Sequence, residues 1–241
     1  MLSFSIVIPI FNEAENIKDL TKEIFSNLHS HYNFELILVN DCSTDNTKEI
    51  ISLLKKKYSL KIINNKTNLG QSYSLFNGIK NSTFDTIVTL DGDLQNNPKD
   101  IPKLLNLYFS DKSINLVGGI RLKRQDSKIK IFSSKIANKI RSAILNDNCK
   151  DTGCALKVFS KKVFLEFPFF DGIHRFLPAL FKGFGNKTIF IGVDHRSRNF
   201  GSSNYGTLDR LFRGIRDIIK VLMIIKNNKK KNNFFFINLC R

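Results

Sequence analysis

Asp91 and Asp93 flank Gly92 directly after the apolar run Thr86–Leu90. Two carboxylates one residue apart, beyond a buried strand, can hold Mg²⁺ or Mn²⁺. These hard cations take a few carboxylates and share the rest of their shell with substrate phosphates. Gln95 can add an oxygen ligand, and Gly92 lets the backbone approach closely. Fifteen Asp in 241 residues give about one Asp-x-Asp by chance, so the position after a strand carries the argument, not the spacing. Three more polar clusters follow apolar runs: Asn12-Glu13, Asn40-Asp41 and Asn68–Gly70. Arg121, Arg175, Arg196 and Arg198 offer the planar fork that grips phosphate oxygens in pairs. A hydroxyl group acting as nucleophile would need a base, and Asp151 or Asp171 would be asked to serve. His174 can titrate near neutrality.

These side chains need a scaffold that brings them to one edge. Ser3–Ile10 is a nearly continuous apolar run, as a strand buried on both faces requires. A helix opens at Asn12–Glu15 and reaches about Leu28, with acids in its first turn. Phe34–Val39 reads as a second strand, then a helix capped by Ser43 or Thr44 runs to about Tyr58. Leu60–Ile63 is a third strand, followed by a helix to Lys80, and Thr86–Leu90 a fourth. Pro98 suits the first turn of the next helix, and a fifth strand starts at Asn115–Val117 and ends at Gly118-Gly119. Beyond Arg121 the pattern gives a basic helix over Lys128–Leu145 and strands at Ala155–Phe159 and Lys187–Val193. Phe164–Phe184 is rich in aromatics, and a last helix covers Leu208–Ile225. Alternating strands and helices with short links predict an α/β fold, a doubly wound and mostly parallel sheet. Such sheets bind ligands beyond the C-terminal ends of their strands, where the four clusters fall.

The net charge of +17 is uneven: residues 1–100 carry −2 and residues 101–241 carry +19. The second half therefore expects an anionic partner: phosphate-bearing substrates, nucleic acid or an anionic membrane face. No helix-turn-helix, zinc or RNP-type pattern supports nucleic acid. Cys42, Cys149, Cys154 and Cys240 show no zinc spacing and read as reduced thiols of a cytosolic protein. The N-terminal apolar run stops at Pro9, unlike a secretory signal, and no run reaches the roughly 18 apolar residues of a spanning helix. The expectation is a soluble or peripheral protein. Residues 1–205 form one domain; 206–241 form an amphipathic helix and basic tail. In that helix Leu208, Leu211, Phe212, Ile215, Ile218, Ile219, Leu222 and Met223 recur on one stripe, with Arg210, Arg213, Arg216 and Lys220 between. The stripe packs on its own domain, lies in an anionic membrane interface, or meets a membrane subunit.

The runs IVIPIFNEAENI, LVNDCSTDNT and TLDGDLQNNP resemble the family 2 glycosyltransferases of the GT-A fold. The nearest resemblance is to dolichyl-phosphate mannosyltransferases and bacterial polyprenyl-phosphate sugar transferases. It continues through GGIRLKRQDSKIK, DTGCALKVF, GIHRFLPAL and HRSRNFGSSNYG, nearly the whole chain. The resemblance implies that Pro9, Phe11, Asn12 and Glu13 border the nucleotide with Gly70 and Asp91, and that Asp41 contacts the base. It implies a metal on Asp91, Asp93 and Gln95, with Arg121 and Arg124 facing the diphosphate or the lipid phosphate. Asp93, Arg121 and Asp151 then stand at the chemistry, and His174, Arg175, Arg196, Arg198 and Ser203 on the acceptor side. Three positions depart from the family: Asn40 where Asp is frequent, Cys42 where Gly is frequent, and Asn204 in place of a common Lys.

The expected activity is inverting, metal-dependent transfer from a UDP- or GDP-linked sugar to a polyprenyl or dolichyl phosphate, on the cytoplasmic face of the membrane. A saccharide acceptor in cell-surface polysaccharide synthesis is the alternative, and shares the donor site. A nucleotidyltransferase would carry a Gly-rich, Arg-containing loop after the first strand; this chain has FNEAEN there. A basic nucleic-acid-binding protein is the more distant alternative.

Overall fold

The computed structural model describes residues 1–122, 128–197 and 214–228, without the side chains of 128–135 and 137. Seven strands form one sheet: β1 (Ser3–Ile10), β2 (Asn33–Asn40), β3 (Leu60–Asn64), β4 (Thr86–Thr89), β5 (Ile114–Arg121), β6 (Lys157–Ser160) and β7 (Lys187–Val193). Their spatial order is β3-β2-β1-β4-β6-β5-β7. The pairs β1/β2, β1/β4, β2/β3 and β5/β7 are parallel, and only β6 runs against its neighbours β4 and β5. Two reversals restore direction, so β5 points the same way as β4. The C-terminal ends of β1 to β5 and β7 therefore share one edge, and β6 brings its first residue to that edge.

Alternation along the strands divides the core. Phe4, Ile6, Ile8, Ile10, Leu36 and Leu38 face one layer with α1 (Ile17–Leu28), α2 (Thr47–Lys57) and α4 (Ile101–Ser110). Val7, Ile37, Val39, Ile87 and Leu116 face the other, with α3 (Gln71–Lys80), α6 (Lys161–Phe164) and α7 (Leu177–Gly183). Helix α1 buries Ile17, Leu20, Thr21, Ile24 and Leu28, one stripe at helical spacing. The phenylalanines of the second half form the outer wall of the second layer. Phe159, Phe164, Phe167, Phe176 and Phe181 are buried, and Phe167 meets Phe181 edge-on at 5.1 Å.

The predicted strands and helices recur with small shifts. Strand β5 does not stop at Gly118-Gly119 but runs to Arg121, held by β7. Helix α2 begins at Thr47, whose N–H donates to Asp45 Oδ1 at 3.0 Å. Ser43 and Thr44 do not cap it: they bind Asn12 instead, because the first and second strand ends lie side by side. Helix α5 spans Lys128–Leu145 as predicted. The last helix is described over 214–228; Leu208, Leu211, Phe212 and the basic tail lie outside the described residues, with Cys240 and Asn204. Of the described residues of the predicted stripe only Ile218 packs on the aromatic layer, beside Val221, Ile224 and Ile225, which lie off it; Ile215, Ile219, Leu222 and Met223 are exposed. Among the described residues no helix is long and apolar enough to cross a membrane.

Helix α3 rests on the sheet through Gly78. A Cβ there would lie 2.4 Å from Val7 Cγ1 and 2.9 Å from Val39 Cγ2, on two stiff β-branched side chains of central strands. Gly78→Ala should lower the unfolding free energy by about 1–3 kcal/mol through overpacking. Urea denaturation measures it; an unchanged midpoint would mean that α3 lifts freely from the sheet.

Candidate active site

At the shared strand edge β4 passes through Leu90 into Asp91-Gly92-Asp93. Asp91 Oδ1 accepts from Gln71 Nε2 at 2.7 Å, at the start of α3. Asp93 is 9% exposed and its Oδ1 takes the Gln95 N–H at 3.1 Å. The Gln95 side-chain amide donates to the Arg196 carbonyl at 3.4 Å. Gly92 presses on the first strand's exit: a Cβ there would come 3.3 Å from Glu13 Cγ and 3.6 Å from Pro9 O. Burial, then the neighbouring Asp93 and Glu13 carboxylates, push the Asp91 carboxyl up to about 7, against the opposing pull of Lys157 and Arg121. Carboxylates crowded in this way suit a divalent cation, which relieves their repulsion. Among the described residues no group of three or more His, Cys, Asp or Glu could cage a metal. Asp91 and Asp93 offer two carboxylates, and Mg²⁺ or Mn²⁺ can take the rest of its shell from substrate phosphates.

The exits of β1, β2 and β3 build the adjoining wall. Asn12, at φ 57°, donates its N–H to Ser43 Oγ and accepts from the Thr44 N–H at 2.8 Å. Glu13 N–H donates to Thr47 Oγ1, and Glu13 Oε2 accepts from Asn16 Nδ2 at 2.7 Å. Phe11 is exposed beside them. Asp41 is 3% exposed and already well bound. Its carboxylate accepts from Asn65 Nδ2, from the Leu69 N–H at 2.9 Å and from the Gly70 N–H at 2.7 Å. It fastens the turn before α3 with charge-assisted bonds.

Arg121, at the end of β5, is held edge-on by Asp151. Nε and Nη2 each donate to one carboxylate oxygen at 2.7 Å, and the Arg121 N–H adds a third bond at 3.2 Å. The pair also lines a cleft of about 610 Å³ with Asn138, Lys139, Ser142 and Asn146. His174 stands beside α3: Ser72 Oγ accepts the Gly172 N–H at 2.7 Å and lies 2.8 Å from His174 Nδ1. Burial, then Arg175 and Lys157, push His174 down to about 3, so the ring is neutral.

The site thus brings together Asp91, Asp93 and Glu13, with Arg121 and Asp151 across the edge; Asp91 and His174 line one small cavity. Arg175 is engaged by Asp217 at 2.8 Å, and Arg196 by both oxygens of Glu23 at 3.0 Å and by Asn97 Oδ1. Arg124, Arg198 and Ser203 lie outside the described residues. One group escaped the sequence reading: Lys157, the first residue of β6, buried and lining that cavity. Its signal was a lone lysine inside the apolar run ALKVF.

Comparison with known proteins gives the same direction. The model of glycosyl transferase family 2 matches residues 5–167. A dodecaprenyl-phosphate galacturonate synthase of Rhizobium johnstonii is 32% identical over 236 residues, covering 93% of this chain and 68% of that protein. An undecaprenyl-phosphate 4-deoxy-4-formamido-L-arabinose transferase of Edwardsiella ictaluri is 30% identical over 221 residues, covering 90% of this chain and 67% of that protein. Among solved structures, glucosyl-3-phosphoglycerate synthase of Mycobacterium tuberculosis, in complex with Mn²⁺, UDP and phosphoglyceric acid, matches with a TM-score of 0.69. At 18% identity, over 93% of this chain and 78% of that one, it shows the GT-A fold alone.

The crowded Asp91 gives a pH dependence. Its raised carboxyl means that the native, metal-free protein holds a proton which the unfolded chain has released. Stability therefore falls as pH rises from the ordinary carboxylate range towards 7. A cation must displace that proton. Mn²⁺ affinity, followed by electron paramagnetic resonance, should weaken by up to about tenfold per unit below about pH 7 and level off above it. A flat profile from pH 5 to 8 would remove Asp91 from the metal.

Proposed function

The chain belongs to glycosyl transferase family 2, and from that premise we propose that it moves a sugar from a UDP- or GDP-linked donor onto a polyprenyl phosphate, with inversion at the anomeric carbon. The observation that carries the choice of acceptor is the Arg121–Asp151 pair. A hydroxyl acceptor needs a base: Asp151 has both oxygens committed to the Arg121 fork, and the other candidate, Asp171, is exposed and within electrostatic reach of Asp217. A phosphate monoester needs none: its second pKa of about 6 makes it an anion near neutrality. It needs a guanidinium with a fixed orientation, which Asp151 provides to Arg121. The two relatives named above, both polyprenyl-phosphate sugar transferases by name, support the same acceptor.

In this reading the acceptor oxygen forms a bond to the anomeric carbon as the bond to the donor diphosphate breaks, and the electron pair leaves on that diphosphate. Asp91 and Asp93 would hold a divalent cation, Mg²⁺ or Mn²⁺, with Gln95 nearby; when bound it supplies Lewis-acid neutralisation of the leaving diphosphate. Pro9, Phe11, Asn12 and Glu13 shape the wall beside the donor. Asp41 acts through the turn it fastens, setting Gly70 and the start of α3, from which Gln71 orients Asp91. Arg121 orients the acceptor phosphate, so the protein's work is alignment and charge balance.

The test is a product analysis. The purified chain is incubated with nucleotide sugars, Mg²⁺ or Mn²⁺, and either a polyprenyl phosphate or a saccharide, and products are read by mass spectrometry. Glycosylated polyprenyl phosphate is expected, and Asp93→Asn should abolish it with the fold intact. Product from saccharides alone would overturn the acceptor, and near-normal turnover of Asp93→Asn in excess metal would overturn the metal site.

A lipid acceptor implies work at a membrane, on its cytoplasmic face in this reading. Two helices carry exposed apolar rows at helical spacing: Ile136, Ile140 and Ile144 on α5, and Ile215, Ile219, Leu222 and Met223 on the 214–228 helix. Basic residues in these regions add attraction to anionic lipids, about 1 kcal/mol each near the surface. The full chain should co-sediment with anionic liposomes at low salt and release at high salt. Replacing Ile215, Ile219, Leu222 and Met223 by Ser, all exposed in the fold, should cut the bound fraction severalfold. Equal partitioning of both proteins, or no binding at low salt, would end the idea.

A further inference from the structure

Strand β6 places Lys157 at the catalytic edge, level with Thr89 of β4 and Gly118 of β5, two residues from Asp91 along the β4 line. Its side chain is 4% exposed. Together with Asp91, Gln71 and His174 it lines a cavity of about 20 Å³, walled elsewhere by apolar side chains such as Leu75 and Phe159. The space suits about one water molecule. Nζ donates to the Cys154 carbonyl, and among the described residues Lys157 joins no ion pair. An ammonium stripped of water and left without a carboxylate partner is costly to keep. Nothing in the packing requires it, since a strand between β4 and β5 would take an apolar side chain there.

The surroundings fix its charge role. His174 is neutral, and Gln71 and Thr89 are uncharged, so the cavity faces one carboxyl group, Asp91, and one amine, Lys157. Arg121 is balanced by Asp151. Among the described residues Lys157 is thus a buried cation of this cavity that no carboxylate pairs, held beside Asp91 where water screens poorly. We propose that Lys157 is a fixed counter-charge beneath the metal site: it weakens the binding of a lone dication and strengthens the binding of the donor's diphosphate. It is a positioning residue that sets which ligand the carboxylates accept and when. The proposal rests on the reading that Asp91 holds the metal.

A charge predicts opposite signs for opposite ligands, which a packing role cannot produce. Lys157→Met keeps the stem's length and removes the charge; Lys157→Gln is a second neutral variant should the first fold poorly. Mn²⁺ binding to the full chain is titrated without nucleotide. Binding of UDP, or of GDP where the parent prefers it, is titrated without metal. Neutral variants should bind Mn²⁺ about fivefold tighter or more, and the diphosphate about fivefold weaker or more. A mere packing defect would weaken both. Unchanged or weaker Mn²⁺ binding in both variants overturns the proposal. Asp91→Asn separates the two levels: if it binds Mn²⁺ like the parent, the metal-site reading has failed, and if it loses Mn²⁺ while the Lys157 variants bind no tighter, only the counter-charge has failed.

Discussion

The site depends on one strand running the wrong way. β6 pairs antiparallel with both β4 and β5, through Thr86↔Ser160 to Thr89↔Lys157 on one side and Leu116↔Phe159 to Gly118↔Lys157 on the other. A parallel strand in that place would deliver its C-terminal end to the ligand edge and its N-terminal end to the far side. The reversed strand delivers its beginning. The loop that precedes it, with Asp151, Gly153 and Cys154, comes to the ligand edge as well. Asp151 then meets Arg121, which β5 has carried to the same edge because two reversals cancel. A Cβ at Gly153 would lie 2.7 Å from Arg121 Nη2, so the guanidinium is packed against that loop as well as bound by it.

Most of the fold was legible in the sequence, because strands buried on both faces write long apolar runs and helices write stripes. Ser3–Ile10, Lys128–Leu145 and Lys187–Val193 match residue for residue. The place of Asp91-Gly92-Asp93 at the strand edge was legible because it follows such a run. Lys157 was not, since strand direction is set by the partner strands and not by any local pattern. Nor was the bonding of Asp41. An acid after a strand reads as a ligand group, and only the fold shows three donors already converging on it. The departures from the family gain a physical sense here. Cys42 sits at φ 60°, the left-handed region that glycine occupies without strain. Asn40 uses both halves of its amide, accepting from the Ser43 N–H and donating to Asn64 Oδ1, which a carboxylate could not do.

The charge asymmetry also divides on inspection. Several other arginines of the second half are consumed in structural pairs: Arg141 with Asp147, Arg175 with Asp217, and Arg196 with Glu23. These fix loops and helix positions, and their fork geometry suits that task. The positive field left for anionic partners comes mainly from lysines. Lysines act as point charges on flexible stems, which favours attraction to a surface over recognition of one shape.

The last described helix closes the aromatic layer from outside. Val221, Ile218 and Ile225 cover phenylalanines that the chain laid down some fifty residues earlier, roughly from Phe164 to Phe181. Asp217 locks the cover through Arg175, and Gly183 admits Ile225 so closely that no Cβ would fit. During synthesis the helix at 214–228 must therefore leave the ribosome before this wall is sealed. Until then the rings laid down earlier have no cover on that side, and they are the surface on which a chaperone would act.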